Sequence, residues 1–259
     1  MTGEQPKVVA ADQTPPPPTT PTGPARPCEG PIRHRQYTAA NAELIEAGKA
    51  RRAEVEAQKR ARELAENARV LWAARGKRYE RCTLDNFVAG SPDQQKVVRR
   101  VRVYAEHIER NINRGVGVVL IGPPGTGKDH LMAALMHAAL AAGKTIKWAS
   151  GPQLFAGFRD DIGADTEERR ALAQYTKPDV FALSDPTWEQ SRLERFQRAK
   201  LMEIIDGRYN HLRATWVTLN VKDRDQANNL IGGAIVDRLV DGALSLECNW
   251  PSYRKSAST

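Results

Sequence analysis

Apolar residues in this chain gather into short runs that end on small or polar residues, with longer stretches of helical spacing between them. The first run, Val118-Val119-Leu120-Ile121, stops at Gly122. Residues 145–149 (TIKWA), 179–183 (DVFAL), 215–219 (TWVTL) and 243–247 (ALSLE) repeat the theme. Between them, residues 131–142 read LMAALMHAALAA, and residues 193–209 and 231–240 carry spaced apolar positions. These predict helices, while residues 160–175 are polar and partly helical. Upstream, residues 91–114 predict one helix, with Ser91 as its N-cap and Pro92 in its first turn. Strands alternating with helices at these intervals predict an α/β fold, a parallel five-stranded sheet with helices on both faces. Ligands of such sheets gather at the carboxyl ends of the strands. Gly122, the Ser184-Asp185 pair and Asn220 all fall there.

Before residue 81 the pattern changes. Residues 1–36 hold Pro15 to Pro18 and then Pro21, Pro24, Pro27 and Pro31, a composition that predicts a disordered proline-rich tail. Residues 37–80 are rich in Ala, Glu, Arg and Lys, lack proline, and place opposite charges at helical spacing, as in Glu56 and Arg60. This predicts a helical segment. Its apolar stripe is thin: Leu64, Ala68 and Leu71, with Leu44 and Ile45 near the start. That leaves open a solvated helix, a coiled coil, or a helix that docks on a protein partner through the stripe. Residues 81–259 are then the α/β domain, entered through a segment whose Phe87 is expected to pack against it.

Composition narrows the class. The chain has 259 residues, enough for one α/β domain with an appendage. Its formal charge of +8 favours anionic partners, and the excess over residues 1–81, 15 basic against 10 acidic side chains, is more than half of it. Cys28, Cys82 and Cys248 lie far apart, which argues against a disulfide framework or zinc site and fits a reducing cytosol. No apolar run reaches a membrane span and no secretory signal pattern opens the chain, so a cytoplasmic protein is expected.

The chemistry concentrates after the first strand, in GPPGTGKDH. A strand, a glycine-rich turn, a lysine and a helix form the context of a phosphate-binding loop. Gly122, Pro123, Pro124, Gly125, Thr126 and Gly127 form the turn, whose N–H groups face inward beside a helix N-terminus. Lys128 supplies a point charge to the β- and γ-phosphates. The usual pattern has Ser or Thr after the lysine; here the residue is Asp129.

GPPGTGKDHLMAAL, DVFALSD followed by a helix ending IIDGRYN, RATWVTLN, IVDRL and NWPSYR, in that order, resemble the AAA+ ATPases that load replicative helicases, the DnaC-like family. The related IstB-like helpers of insertion-sequence transposases share most of these motifs, and the resemblance covers residues 82–254. It implies an AAA+ P-loop core without a C-terminal helical lid, ATP and Mg²⁺ as cofactors, and head-to-tail self-association. A hexameric replicative helicase is the implied partner. Ser184 and Asp185 match the acids that organise magnesium and polarise the attacking water, Asn220 the polar sensor, and Arg238 the arginine that reaches a neighbouring subunit's nucleotide. The expected metal set is therefore Asp129, Ser184 and Asp185, with Asp129 and Ser184 exchanging the usual hydroxyl and carboxylate. Altered residues at two such positions predict slow hydrolysis, and they keep open a nucleotide-gated binding protein that hydrolyses negligibly. Single-stranded DNA is a further expected ligand, through Arg192, Arg195, Arg198 and Lys200 with Trp188 and Phe196 interleaved.

Overall fold

The computed structural model describes residues 31–160, 165–187 and 191–254, with side chains over 41–158, 168–187 and 191–254. Residue contacts divide the chain into two units, Met1–Glu54 and Val55–Thr259. The first helix, α1, spans Pro31–Arg75, and the short α2, Lys77–Glu80, follows it. The proline-rich tail expected over residues 1–36 lies outside the described residues up to residue 30; residues 31–36 instead open α1. Proline is tolerated there because the first helical N–H groups need no intrahelical acceptor. Every described side chain from 41 to 54 is exposed, Leu44 (69%) and Ile45 (58%) included.

Five parallel strands form one sheet in the order β2-β3-β4-β1-β5. They are β1 (Val118–Ile121), β2 (Ile146–Ser150), β3 (Val180–Ser184), β4 (Ala214–Leu219) and β5 (Leu244–Glu247). Strand alternation feeds two cores. Val118 and Leu120 join Leu131, Leu135 and Met136 of α5 (Lys128–Ala141) on one face. Val119 joins Ile204 and Ile205 of α8 (Arg195–Asn210) and Val236 of α10 (Gly233–Val240) on the other. Helices α6 (Gly151–Asp160), α7 (Asp165–Thr176) and α9 (Arg224–Ile231) complete the second face. At the amino ends of β3 and β4, the buried Arg208 donates to the carbonyls of Tyr175, Pro178, Asp179 and Ala214.

Two expectations are corrected here. The helix expected over residues 91–114 is broken at His107 into α3 (Pro92–Glu106) and α4 (Ile108–Asn113). The Asn111 side chain takes the Tyr104 carbonyl at 3.0 Å, and Tyr104 Oη donates to Val116 O at 2.6 Å, so local polar contacts replace the helical ladder. Ser91 and Gln94 still form a reciprocal capping box at the start. The second correction concerns the stripe expected to meet a partner. Leu71 is 3% exposed in the chain's own core, and Leu64 reaches Gly143 after α5. Between them, Asn67 donates to Ile146 O at 3.0 Å and accepts from Ile146 N at 2.9 Å, covering the free side of edge strand β2.

Among the described residues no helix follows β5, and residues 248–254 return across the loop after β1. Cys248 N bonds Ile121 O at 2.7 Å, Trp250 Nε1 bonds Thr126 O at 2.9 Å, and Tyr253 N bonds Gly125 O at 2.9 Å.

Candidate nucleotide-binding site

The loop between β1 and α5 has the backbone its sequence demands. Gly125 (φ 84°) and Gly127 (φ 86°) are left-handed, and a Cβ on Gly125 would meet Ser252 Oγ at 2.0 Å. Among the described residues, none accepts a hydrogen bond from the N–H of Gly125, Thr126, Gly127 or Lys128. Four adjacent donors at a helix N-terminus suit an anion. Lys128 is 5% exposed, and its ammonium bonds Gly122 O and Pro123 O, each at 2.7 Å. Burial holds it below the ordinary lysine value, with Asp129 and Asp185 pulling the other way. An incoming phosphate would compete with the loop carbonyls for this charge.

Beside the loop lies a cavity of about 350 Å³, bordered by Lys128, Asp129, Asp185, Asn220, Phe87 and Tyr253. That volume suits a small-molecule ligand. The register of the sheet sets its polar floor. Ser184 at the end of β3 pairs with Thr218 of β4, and both hydroxyls bond Asp129 Oδ1, at 2.9 and 3.3 Å. Ser184 Oγ also accepts from Trp148 Nε1 at 2.9 Å. Asp185 adopts φ 42°, unusual for a non-glycine residue, and its carboxylate accepts from Asn220 Nδ2 and Thr187 Oγ1. Burial raises the Asp185 carboxyl above its ordinary value despite those hydrogen bonds.

Six expected loop residues and Lys128, Asp129, Ser184, Asp185 and Asn220 are thus brought together. Arg238 is not. It lies on α10, its Nε bonded to Asp206 Oδ1 at 2.7 Å, in a cavity shared with Gly115 and Gly117 before β1, at the opposite end of the sheet. Its chain neighbour Asp237 pairs with Arg224 instead. Of the expected DNA contacts, Trp188 lies outside the described residues. Lys200 is held by Glu168 and Glu203, and Arg198 Nε is buried without a hydrogen-bond partner. Arg192 and Arg195 are exposed, and Phe196 is 37% exposed.

Sequence reasoning missed four contributors. Thr218 sits inside a buried strand, where a hydroxyl reads as a β-former. Tyr253 and Arg254 border the cavity through the chain's return after β5. Arg75 reaches Asp129 from the end of α1, its NH2 3.0 Å from Oδ1.

The donor set fits a nucleoside triphosphate: unpaired loop N–H groups and a buried ammonium for phosphate oxygens. Magnesium binds through one or two carboxylates plus phosphate oxygens and water. Asp129 and Asp185, both bordering the cavity, supply such carboxylates. Among the described residues no group of three or more His, Cys, Asp or Glu could hold a metal unaided.

This sheet order with this loop makes the protein a P-loop NTPase of the AAA+ class. More narrowly, the chain belongs to the IstB-like ATP binding protein family, whose model matches residues 42–259. It is similar to the replicative helicase loader DnaC of Buchnera aphidicola subsp. Schizaphis graminum, 26% identical over 180 residues, 68% of this chain and 71% of that one. A putative ATP-binding protein in an insertion sequence of Mycobacterium tuberculosis is 26% identical over 149 residues, 56% of this chain and 58% of that protein. Among solved structures, that of the DnaC helicase loader is 27% identical with a TM-score of 0.57, covering 66% of this chain and 99% of that one.

Proposed function

We propose that this protein is an ATP-dependent loader of a replicative DNA helicase, acting in the cytoplasm as a head-to-tail oligomer that grips single-stranded DNA. The observation that carries this reading is the similarity to DnaC loaders, which covers two thirds of the chain. The family model's match, residues 42–259, includes a loop with unpaired phosphate donors.

The residues divide the work. Gly125 to Lys128 hold phosphate oxygens through backbone N–H groups and the ammonium. Asp129 and Ser184 are the carboxylate and hydroxyl toward the metal, with their usual positions exchanged. Asp185, with its proton affinity raised by burial, is the base nearest an attacking water, and Asn220 fixes its carboxylate. Bound magnesium-ATP supplies the transferable phosphoryl group. Arg238, at the far end of the sheet from its own loop, serves a neighbouring subunit. Arg192 and Arg195 face solvent where a DNA backbone can meet them. Hydrolysis is slow, because aspartate is one carbon shorter than the glutamate usual at position 185.

The partner surface follows from the fold. With Leu64 and Leu71 committed to the chain's own domain, Leu44 and Ile45, both exposed in the first unit, remain for the helicase. The test mixes the full chain with its host's hexameric helicase and follows co-elution on size-exclusion chromatography. Co-elution is expected, and deletion of residues 1–54 abolishes it while ATP binding persists. The insertion-sequence relative favours a second reading, a transposase helper. Failure to co-elute with helicase, together with retention of a transposase, selects that reading instead.

A further inference from the structure

Arg75 closes α1 and is almost fully buried, 9% exposed, although no charged surface calls it there. Its guanidinium carbon lies 3.5 Å from the Tyr79 ring centroid and 4.5 Å from that of Trp148, between two aromatic faces. Its NH2 stands 3.0 Å from Asp129 Oδ1. Yet Nε and NH2 make no hydrogen bond, so the contact is one of charge with misaligned N–H groups. A buried guanidinium with unspent donors is costly, and its counter-charge here is an acid at the mouth of a phosphate site.

Asp129 is where the costs meet. An aspartate directly after the loop lysine brings negative charge beside the place where phosphates bind. Ser184 and Thr218 donate to the same Oδ1 that Arg75 faces, but they are neutral. Lys128 feels the Asp129 charge too, but Arg75 is the cation in direct ion-pair contact with it. This arginine arrives from α1, whose last turn is fastened to α5 by Trp72, stacked on His137 at 4.3 Å between ring centroids, and His137 Nε2 also meets Glu80 O, just beyond α1, at 2.8 Å.

We propose that Arg75 is the internal counter-cation of Asp129 and competes with magnesium for its carboxylate, so that the magnesium–nucleotide complex unlocks the end of α1. This rests on the reading of the loop as an ATP–magnesium site. A divalent ion on either oxygen of the Asp129 carboxylate repels a guanidinium 3.0 Å from Oδ1, so each cation weakens the other's hold. Linkage makes the effect reciprocal: whatever fixes Arg75 on Asp129 weakens metal binding, and metal binding releases Arg75. The end of α1 thereby senses the nucleotide.

Equilibrium ATP binding to the full chain, in excess magnesium chloride and in EDTA, tests this with Arg75→Met and Arg75→Lys. Methionine keeps a side chain between the two rings while removing the charge. The expected result is that Arg75→Met weakens ATP binding in EDTA about tenfold, the scale of one uncompensated charge nearby, and leaves binding with magnesium equal or tighter. Arg75→Lys falls between. In the parent protein, amide exchange over residues 67–76 rises with magnesium-ATP and not with ATP in EDTA. An equal loss in both conditions makes Arg75 a merely structural residue and overturns the proposal, as does unchanged exchange. A parent protein that binds ATP in neither condition takes the nucleotide reading down as well.

Discussion

Asp129 and Ser184 each depart from what a phosphate-loop ATPase places at their positions, and they touch. The 2.9 Å hydrogen bond between them sets one hydroxyl beside one carboxylate, the pairing that the proposed exchange of metal ligands requires. Both departures were legible in the sequence as odd residues at known positions. Their contact was not, because it depends on the β3–β4 register that sets Ser184 beside Thr218. Arg75 was less legible still: it closes a run of charged helical residues, where one more arginine looks solvated. The exchange predicts that Asp129→Thr and Ser184→Asp each weaken magnesium-dependent ATP affinity about tenfold, while the double variant recovers most of the loss. This corresponds to a coupling of about 1–2 kcal/mol, ordinary for directly contacting groups. Additive losses in the binding isotherms would leave a degenerate site, with Asp129 a helix N-terminal acid only.

At the scale of elements, all five strands stood out because each is a short apolar run closed by a small or polar residue. The phosphate loop and its flanking strand and helix stood out for the same reason. What the pattern obscured was how α1 is used. Its stripe looked too thin to be buried, yet the gap in that stripe is Asn67, an amide that caps the backbone of β2 and so counts as a packing residue. The break at His107 was hidden likewise, since no glycine or proline marks it and Asn111 acts through its side chain. If α1 after residue 54 belongs to the nucleotide domain, Leu71→Ala should cost about 2–5 kcal/mol in urea unfolding, the range for a buried leucine. Leu44→Ala, on an exposed side chain, should leave the midpoint unchanged. Equal midpoints for both variants would detach α1 from the domain.

For the whole molecule, the separation of Arg238 from the phosphate loop is the main fact. Gly122 and Gly117 flank the two ends of β1, and Arg238 shares a cavity with the second. An arginine so placed does not reach the loop of its own chain, and the head-to-tail assembly proposed above would bring it to a neighbour's nucleotide. Sequence resemblance pointed to that role, and the sheet explains why one chain cannot fulfil it alone. The loader reading joins these scales: nucleotide at Lys128, a charge relay through Asp129 and Arg75, a partner on α1, and Arg238 at the next subunit. The most direct measurement is ATP-dependent transfer of the host's hexameric helicase onto circular single-stranded DNA in the presence of magnesium. The intact chain should load the helicase, Lys128→Ala and Arg238→Ala should each fail, and an equal mixture of the two variants should recover part of the activity. Loading by Lys128→Ala at the rate of the intact chain, or without ATP, would contradict the account.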